Sequence, residues 1–400
     1  MPYVPFHFFR ILLTALMLGS QLIVYRFAAK YLTGLGVKRG FTIFILPLIF
    51  LIINIPSVFI YYEPQWFISG FARTYVMMPF YAYETFSVAV LLAWLIALPI
   101  RSAVRLTRTL VDKLARKPQG DLPSQSRRIF IKNTAIGLGA YTIVGSLHSI
   151  YTREEFTIEN VALPIKNLPA QLQDLKIAMI SDIHAGLYMV EDDMLKYTEA
   201  LNDLNPDIIF IPGDFVTSRT DEIYPFVKAF KGLKSKNGIY TCLGNHDFFG
   251  DPDVITDKVR ETGMVVLRNQ TEELELIGAK VMLSGVDDGR HANFAKVSYE
   301  ATSLETTRIL LCHKPYFFEN AVAGKFDVML SGHTHGGQIV LFDALGIKIT
   351  PAALASKYIS GRYKMGDSTM YVSRGIGTVG LPVRVNCPPE ITVFNLVKKS

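Results

Sequence analysis

From residue 156 onward, five short apolar runs each end on the same kind of residue, and this repetition limits the fold more than any other feature of the chain. Leu175–Ile180 gives way to Ser181-Asp182-Ile183-His184, Asp207–Ile211 to Pro212-Gly213-Asp214, and Gly238–Leu243 to Gly244-Asn245-His246-Asp247. Arg308–Cys312 meets His313, and Phe326–Leu330 meets Ser331-Gly332-His333-Thr334-His335. Near-continuous apolar runs are what strands covered on both faces require. Between them, Val190–Leu204 and Asp221–Leu233 have helical spacing, with Pro206 and Gly232 as stops. The pattern predicts layered α/β architecture. Because ligands in such sheets bind beyond the carboxyl ends of the strands, five runs ending in Asp, His or Asn predict one site assembled from five loops.

Singly, each element has an ordinary explanation: an Asp after a strand caps a turn, a Gly-Asn pair makes one, and a lone histidine is structural. Jointly those explanations fail. Five of the eight histidines (His184, His246, His313, His333 and His335) sit in these five segments. No role is assigned to His7, His148 or His291. In an extended stretch residues i and i+2 point the same way, so His333 and His335 can aim at one point while Thr334 faces away.

Asp182, His184, Asp214, Asn245, His313, His333 and His335 offer two carboxylates, one amide carbonyl and four imidazoles, too many for one ion. With one carboxylate bridging, they suffice for two metals about 3.5–4 Å apart, with positions left for water. A mixed nitrogen and oxygen set without thiolate suits Mn²⁺, Fe or Zn²⁺ better than Mg²⁺ or Ca²⁺. Such a pair lowers the pKa of a shared water and neutralises phosphoryl oxygens, which is the chemistry of phosphoester hydrolysis. Gly336 and Gly337 would let backbone amides approach an anion, and Gly244 would let Asn245 turn inward.

Asp182-x-His184, Gly213-Asp214, Gly244-Asn245-His246-Asp247, His313 and Gly332-His333-x-His335 together resemble, in order, the five signature blocks of the calcineurin-like metallophosphoesterase superfamily. The likeness covers roughly residues 172–397. The stretch Tyr371 to Gly377 and the ending Cys387-Pro388-Pro389-Glu390-Ile391 further resemble the bacterial membrane-attached branch. The resemblance implies two mixed β-sheets packed face to face and flanked by helices. It also implies that Asp182, His184, Asp214 and His335 hold one metal, and Asp214, Asn245, His313 and His333 the other. By the same resemblance, His246 stabilises or protonates the leaving oxygen while Asp247 orients its ring. Thr217 stands where the family's second block usually has an Asp, which removes a charge from the support of the site. Arg374 is a weaker candidate for holding a substrate phosphate.

Apolar residues crowd the first 150 positions, and Ile11–Tyr25, Phe41–Tyr61, Met78–Ile100 and Ile129–Ile150 predict about four transmembrane helices. Residues 1–150 carry 15 Lys/Arg against 4 Asp/Glu, whereas residues 151–400 carry 26 against 31. The basic residues fall between the first and second runs and between the third and fourth, which predicts cytoplasmic loops there. The expectation is therefore an N-terminal multi-pass α-helical membrane region, residues 1–150, followed by an α/β metallophosphoesterase domain, residues 151–400. The expected location is the bacterial inner membrane, with the catalytic domain outside the cytoplasm. Ser126-Arg127-Arg128-Ile129-Phe130-Ile131-Lys132 resembles a twin-arginine signal, implying the export machinery as a partner; the alternative is a basic anchor before an ordinary span. The acidic second half has no basic stripe interleaved with aromatics, which argues against nucleic-acid binding. Cys242, Cys312 and Cys387 form no C-x-x-C pair and indicate neither a disulfide framework nor a zinc ribbon.

The function expected is metal-dependent hydrolysis of a phosphodiester or diphosphate, with the bilayer as a partner and a lipid-linked substrate. A UDP-2,3-diacylglucosamine pyrophosphatase of lipid A synthesis is the alternative within the class. The alternative of another class is a non-catalytic sensory or binding module on a membrane domain.

Overall fold

Side chains alternate along a strand, and that alternation distributes the apolar runs of this chain among separate cores. A computed structural model describes residues 3–56, 70–115, 155–297, 306–344 and 347–399. The chain divides into two units, Tyr3–Tyr151 and Thr152–Ser400.

The second unit holds two six-stranded mixed sheets. One contains β1 (Thr157–Ile165), β2 (Lys176–Met179), β3 (Ile208–Pro212), β4 (Ile239–Cys242), β5 (Val265–Val266) and β14 (Glu390–Lys398), in the order β1-β14-β2-β3-β4-β5. The other contains β6 (Gln270–Leu276), β7 (Ala279–Gly285), β8 (Thr307–Leu311), β9 (Val328–Ser331), β12 (Gly361–Met365) and β13 (Ser368–Val372), in the order β12-β13-β9-β8-β7-β6. A small hairpin, β10 (Phe342–Ala344) and β11 (Ile347–Ile349), stands apart from both. All five predicted runs are strands, and β2, β3 and β4 run parallel in the first sheet as β8 and β9 do in the second.

Ile177, Met179, Ile208, Phe210 and Phe394 of the first sheet pack with Val281, Leu283, Ile309, Leu311 and Leu330 of the second, forming the core between the sheets. The alternate residues, Ala178, Ile180, Ile209 and Ile211, face outward onto the helices Glu191–Leu204, Ile223–Phe230 and Pro252–Arg260 through Met194, Tyr197, Phe226, Phe230, Ile255 and Val259. Leu310, Met329, Met370 and Val372 do the same on the far side, against Phe318 and Ala321. The unit is thus four layers, helix, sheet, sheet, helix. The helix expected to stop at Pro206 ends at Leu204, because Asn205 takes a left-handed φ of 48° and caps it.

The first unit corrects the membrane expectation: among the described residues, no helix is long and apolar enough to cross a membrane. In the second apolar stretch a π-helical turn, Phe41–Ile45, runs on into the helix Leu46–Ile53, after which Asn54 is buried, and residues 57–61 lie outside the described residues. The third does not stop at Ile100, since its helix runs from Met78 through the basic segment to Ala115. Polar residues also lie inside the unit: buried Gln21 hydrogen-bonds Asn54 at 2.9 Å and Glu84. The fourth stretch and the twin-arginine-like segment fall outside the described residues. The multi-pass region and the inner-membrane location are withdrawn.

Phe210 lies between the sheets, 1% exposed. Phe210→Ala is expected to destabilise the fold by about 3–5 kcal/mol, lowering the urea midpoint without changing the slope. An unchanged midpoint would show that the inter-sheet core is not where the stability resides.

Candidate metal centre

The five predicted strand ends, although divided between two sheets, meet at one rim. Gly332 N–H donates to the carbonyl of His313 at 3.0 Å, and His333 N–H to Asp182 Oδ1 at 2.7 Å. From the turn after β13, Ile376 and Gly377 N–H donate to the carbonyls of Ser181 and Asp182 at 2.9 and 2.8 Å. To converge, the loops bend sharply: Asp182, His184, Asp214, His333 and His335 all have positive φ, between 50° and 74°. A non-glycine residue in that region costs about 1–3 kcal/mol, and such strain persists where surrounding bonds over-determine it. Two glycines make the room. A Cβ on Gly244 would collide with Asp214 Oδ1, and one on Gly332 with Asp182 Oδ2. Gly244 thus admits Asp214, a different task from the turning of Asn245 that its position suggested.

The donors gather in overlapping groups. Asp182, His184 and His335 each offer an atom within 4.8 Å of the others, as do Asp214, His313 and His333. His184 Nε2 lies 3.1 Å from His335 Nε2 and 3.5 Å from Asp214 Oδ2. His335 Nε2 is 3.6 Å from Asp182 Oδ1, and His313 Nε2 is 3.0 Å from Asp214 Oδ2. Ligand atoms at about 2.0–2.2 Å from one ion stand roughly 3–3.6 Å apart, which is the spacing here. The outer nitrogens set the tautomers, with His313 Nδ1 donating to the carbonyl of Pro212 at 2.8 Å and His335 Nδ1 to that of Gly377 at 3.3 Å. Both rings therefore turn Nε2 inward, with a lone pair there whenever the ring is neutral. Asn245 Oδ1 is buried without a hydrogen-bond partner among the described residues, as a group awaiting an ion would be. The donor set fits divalent metal.

Electrostatics point the same way. Burial opposes ionisation of Asp214, yet the imidazoles around it, His313 foremost, hold its carboxyl well below the usual range. Against the pull of burial, Asp214 and Asp182 push His313 up to about 10. Burial and then a cationic neighbour press His333 down to about 3, and burial presses His335 down to about 4 and His184 well below its usual value. The cluster accordingly favours one positive charge beside Asp214, supplied by a proton or by a metal ion.

His246 joins the centre, since its atoms group with His184 and Asp214 and its backbone N–H donates to Asp214 Oδ1 at 2.8 Å. Asp247 departs from expectation. Rather than orienting the His246 ring, its carboxylate accepts the backbone N–H groups of Gly244, Asp214, Phe215 and Val216 at 2.8–3.3 Å. It clamps the loop that carries Asp214. The His246 ring instead donates from Nδ1 to the carbonyl of Thr217, whose hydroxyl bonds the carbonyl of His184 at 3.0 Å.

Arg374 also departs from expectation. Its guanidinium pairs with Glu159 at 2.7 Å and Glu390 at 2.8 Å, so its charge is already matched and it braces the loop instead of meeting a phosphate. A Cβ on Gly336 would collide with Arg374 and Cys387, and one on Gly337 with Thr350, which accounts for both glycines by close packing rather than by an anion. Sequence reading missed two residues. Tyr316 Oη lies 3.3 Å from His333 Nε2, and buried Arg384 donates to the carbonyls of Arg374 and Gly375 at 2.9 and 3.1 Å and to that of Gly377, which His335 uses. Tyr316 follows His313 by three residues, a signal that could have been read; Arg384 carries none.

The sequence profile of the calcineurin-like phosphoesterases matches residues 175–337. An uncharacterized metallophosphoesterase of Campylobacter jejuni is 31% identical over 277 residues, covering 68% of this chain and 71% of the relative. Another, from Bacillus subtilis, is 32% identical over 290 residues, covering 69% of this chain and 99% of the relative. Among solved structures, the Haemophilus influenzae NAD nucleotidase aligns over 50% of each chain with 16% identity and a TM-score of 0.35, too distant to carry an argument.

Because His313 holds a proton up to about pH 10 in the metal-free protein, metal binding must displace it. Binding near neutral pH is expected to release about one proton, with affinity rising up to tenfold per pH unit until His313 titrates. Calorimetry in buffers of different ionisation enthalpy measures the release, and His313→Ala should abolish it. A binding enthalpy independent of buffer would contradict this.

Proposed function

Since this chain belongs to the calcineurin-like phosphoesterases and is a phosphoric ester hydrolase, we propose that it cleaves a phosphodiester or diphosphate at a pair of divalent ions, Mn²⁺, Fe or Zn²⁺. The observation that carries this reading is the position of Asp214 Oδ2, 3.5 Å from His184 Nε2 and 3.0 Å from His313 Nε2, between the two donor groups. Asp182, His184, Asp214 and His335 would hold one ion, and Asp214, Asn245, His313 and His333 the other. Bound there, such ions supply an activated water and charge that neutralises the phosphoryl oxygens.

The remaining work falls to the chain. With Nδ1–H given to the carbonyl of Thr217, the His246 ring keeps Nε2 free; when the ring is doubly protonated, Nε2–H passes its proton to the departing oxygen and the ring is left neutral with Nδ1–H still in place. Asp182 is kept in place by the His333 N–H at 2.7 Å and by the Ser181 hydroxyl, and Asp214 by the clamp of Asp247 on its loop. These groups are positioned before substrate arrives, so little reorganisation is left to the reaction.

The partner proposed is a phosphoester small molecule. A lipid-linked substrate rested on the withdrawn membrane region, and nothing at the site favours it or the UDP-2,3-diacylglucosamine reading. A non-catalytic module is disfavoured because every donor position is filled and the ionisable donors converge.

Asp214→Asn is expected to reduce metal-dependent hydrolysis of a generic aryl phosphodiester by about 10³-fold or more, several kcal/mol of transition-state stabilisation. His246→Ala should cost about 10²–10⁴-fold on an alkyl ester while leaving metal content intact. Full activity of Asp214→Asn in a metal-dependent assay would refute the site.

A further inference from the structure

The ring of His246 is aimed by a backbone carbonyl, and a carbonyl is only as fixed as the turn that carries it. That turn has one conspicuous fastening. Ser218 N–H and Arg219 N–H both donate to Glu222 Oε2, at 2.7 and 2.9 Å. The other carboxylate oxygen is packed against the backbone of the neighbouring loop: a Cβ on Gly186, whose φ is +149°, would fall 3.0 Å from Glu222 Oε1 and 3.1 Å from Thr217 Oγ1. On its other side, Thr217 is tied to the first metal-binding loop, its N–H donating to the carbonyl of Ala185 at 3.1 Å and its hydroxyl to that of His184 at 3.0 Å. A continuous path therefore runs from Glu222 through the 218–219 turn and the Thr217 carbonyl to His246 Nδ1.

We propose that Glu222 is a positioning residue for His246: by fastening the turn after Thr217 it holds the carbonyl that orients the ring and so keeps Nε2 directed at the leaving oxygen. The inference rests on the proposed role of His246 as proton donor. It gives a physical account of how the chain manages with Thr217, which brings no carboxylate to the ring, and with Asp247 committed to backbone amides. A neutral acceptor provides direction without charge, so its placement must be secured from elsewhere, and the Glu222 carboxylate is what reaches both amides of the turn.

The test compares an alkyl phosphodiester, whose leaving group needs a proton, with a p-nitrophenyl diester, whose leaving group needs little. In the metal-loaded full chain, Glu222→Ala is expected to lower kcat on the alkyl ester by about tenfold and on the aryl ester by less than about twofold, with KM and metal content unchanged. Glu222→Gln, which keeps an acceptor oxygen, should retain near-full activity on both. In a His246→Ala background, adding Glu222→Ala should cost nothing further. Should the Ala variant fail to fold by circular dichroism, Glu222→Asp is read in the same assay and should show a smaller loss with the same preference for the alkyl ester. Equal loss on both esters, loss of metal, or additive loss in the double variant would overturn the proposal, leaving Glu222 a cap of its own turn. If His246→Ala lowers both esters equally, the proton-donor reading fails first and takes this inference with it.

Discussion

A buried carboxylate among imidazoles is the constraint on which this structure depends. Asp214 is 1% exposed, and a charge so placed is costly unless it is met by opposite charge and hydrogen bonds. Its surroundings supply both. His184 and His313 stand within reach of Oδ2, His246 donates its backbone N–H to Oδ1, and Gly244 gives up a side chain to make room. Asp247 is a second buried carboxylate, pushed up to about 7 by burial and by the charge of Asp214. A cation on Asp214 relieves that repulsion, so the clamp and the centre it supports favour the same occupant.

The sandwich architecture follows from the same requirement. Two sheets packed face to face bring the ends of β2, β3 and β4 against those of β8 and β9. Parallel strands place those ends on a common side, and the apolar layer between Phe210 and Leu330 fixes the spacing of the two rims. The left-handed backbone at Asp182, His184, Asp214, His333 and His335 is the strain left over when five loops turn toward one point.

Much of this was legible because the chemistry lies at the ends of apolar runs, where strand, turn and polar residue follow one another in sequence. The helices on the outer face could be read from spacing in the same way, although the stop at Asn205 is a backbone conformation that no composition rule singled out. The convergence of the imidazoles was legible from their clustering. The task of Asp247 was not, since adjacency to His246 in a turn says nothing about which way each side chain points. Arg374 was misread because its partner Glu159 lies far away in sequence, and an arginine near a site looks unpaired until the fold closes. In the first unit, hydropathy alone could not show that a π-helical turn interrupts the regular helix after Phe41, nor that Gln21, Asn54 and Glu84 meet inside.

The account stands or falls on what sits either side of Asp214. Anomalous scattering from crystals grown with Mn²⁺ measures this most directly. Two peaks about 3.5–4 Å apart, both in contact with Asp214, one near His184 and His335 and the other near His313 and His333, are the result it predicts. A single peak, or peaks away from Asp214, would contradict it.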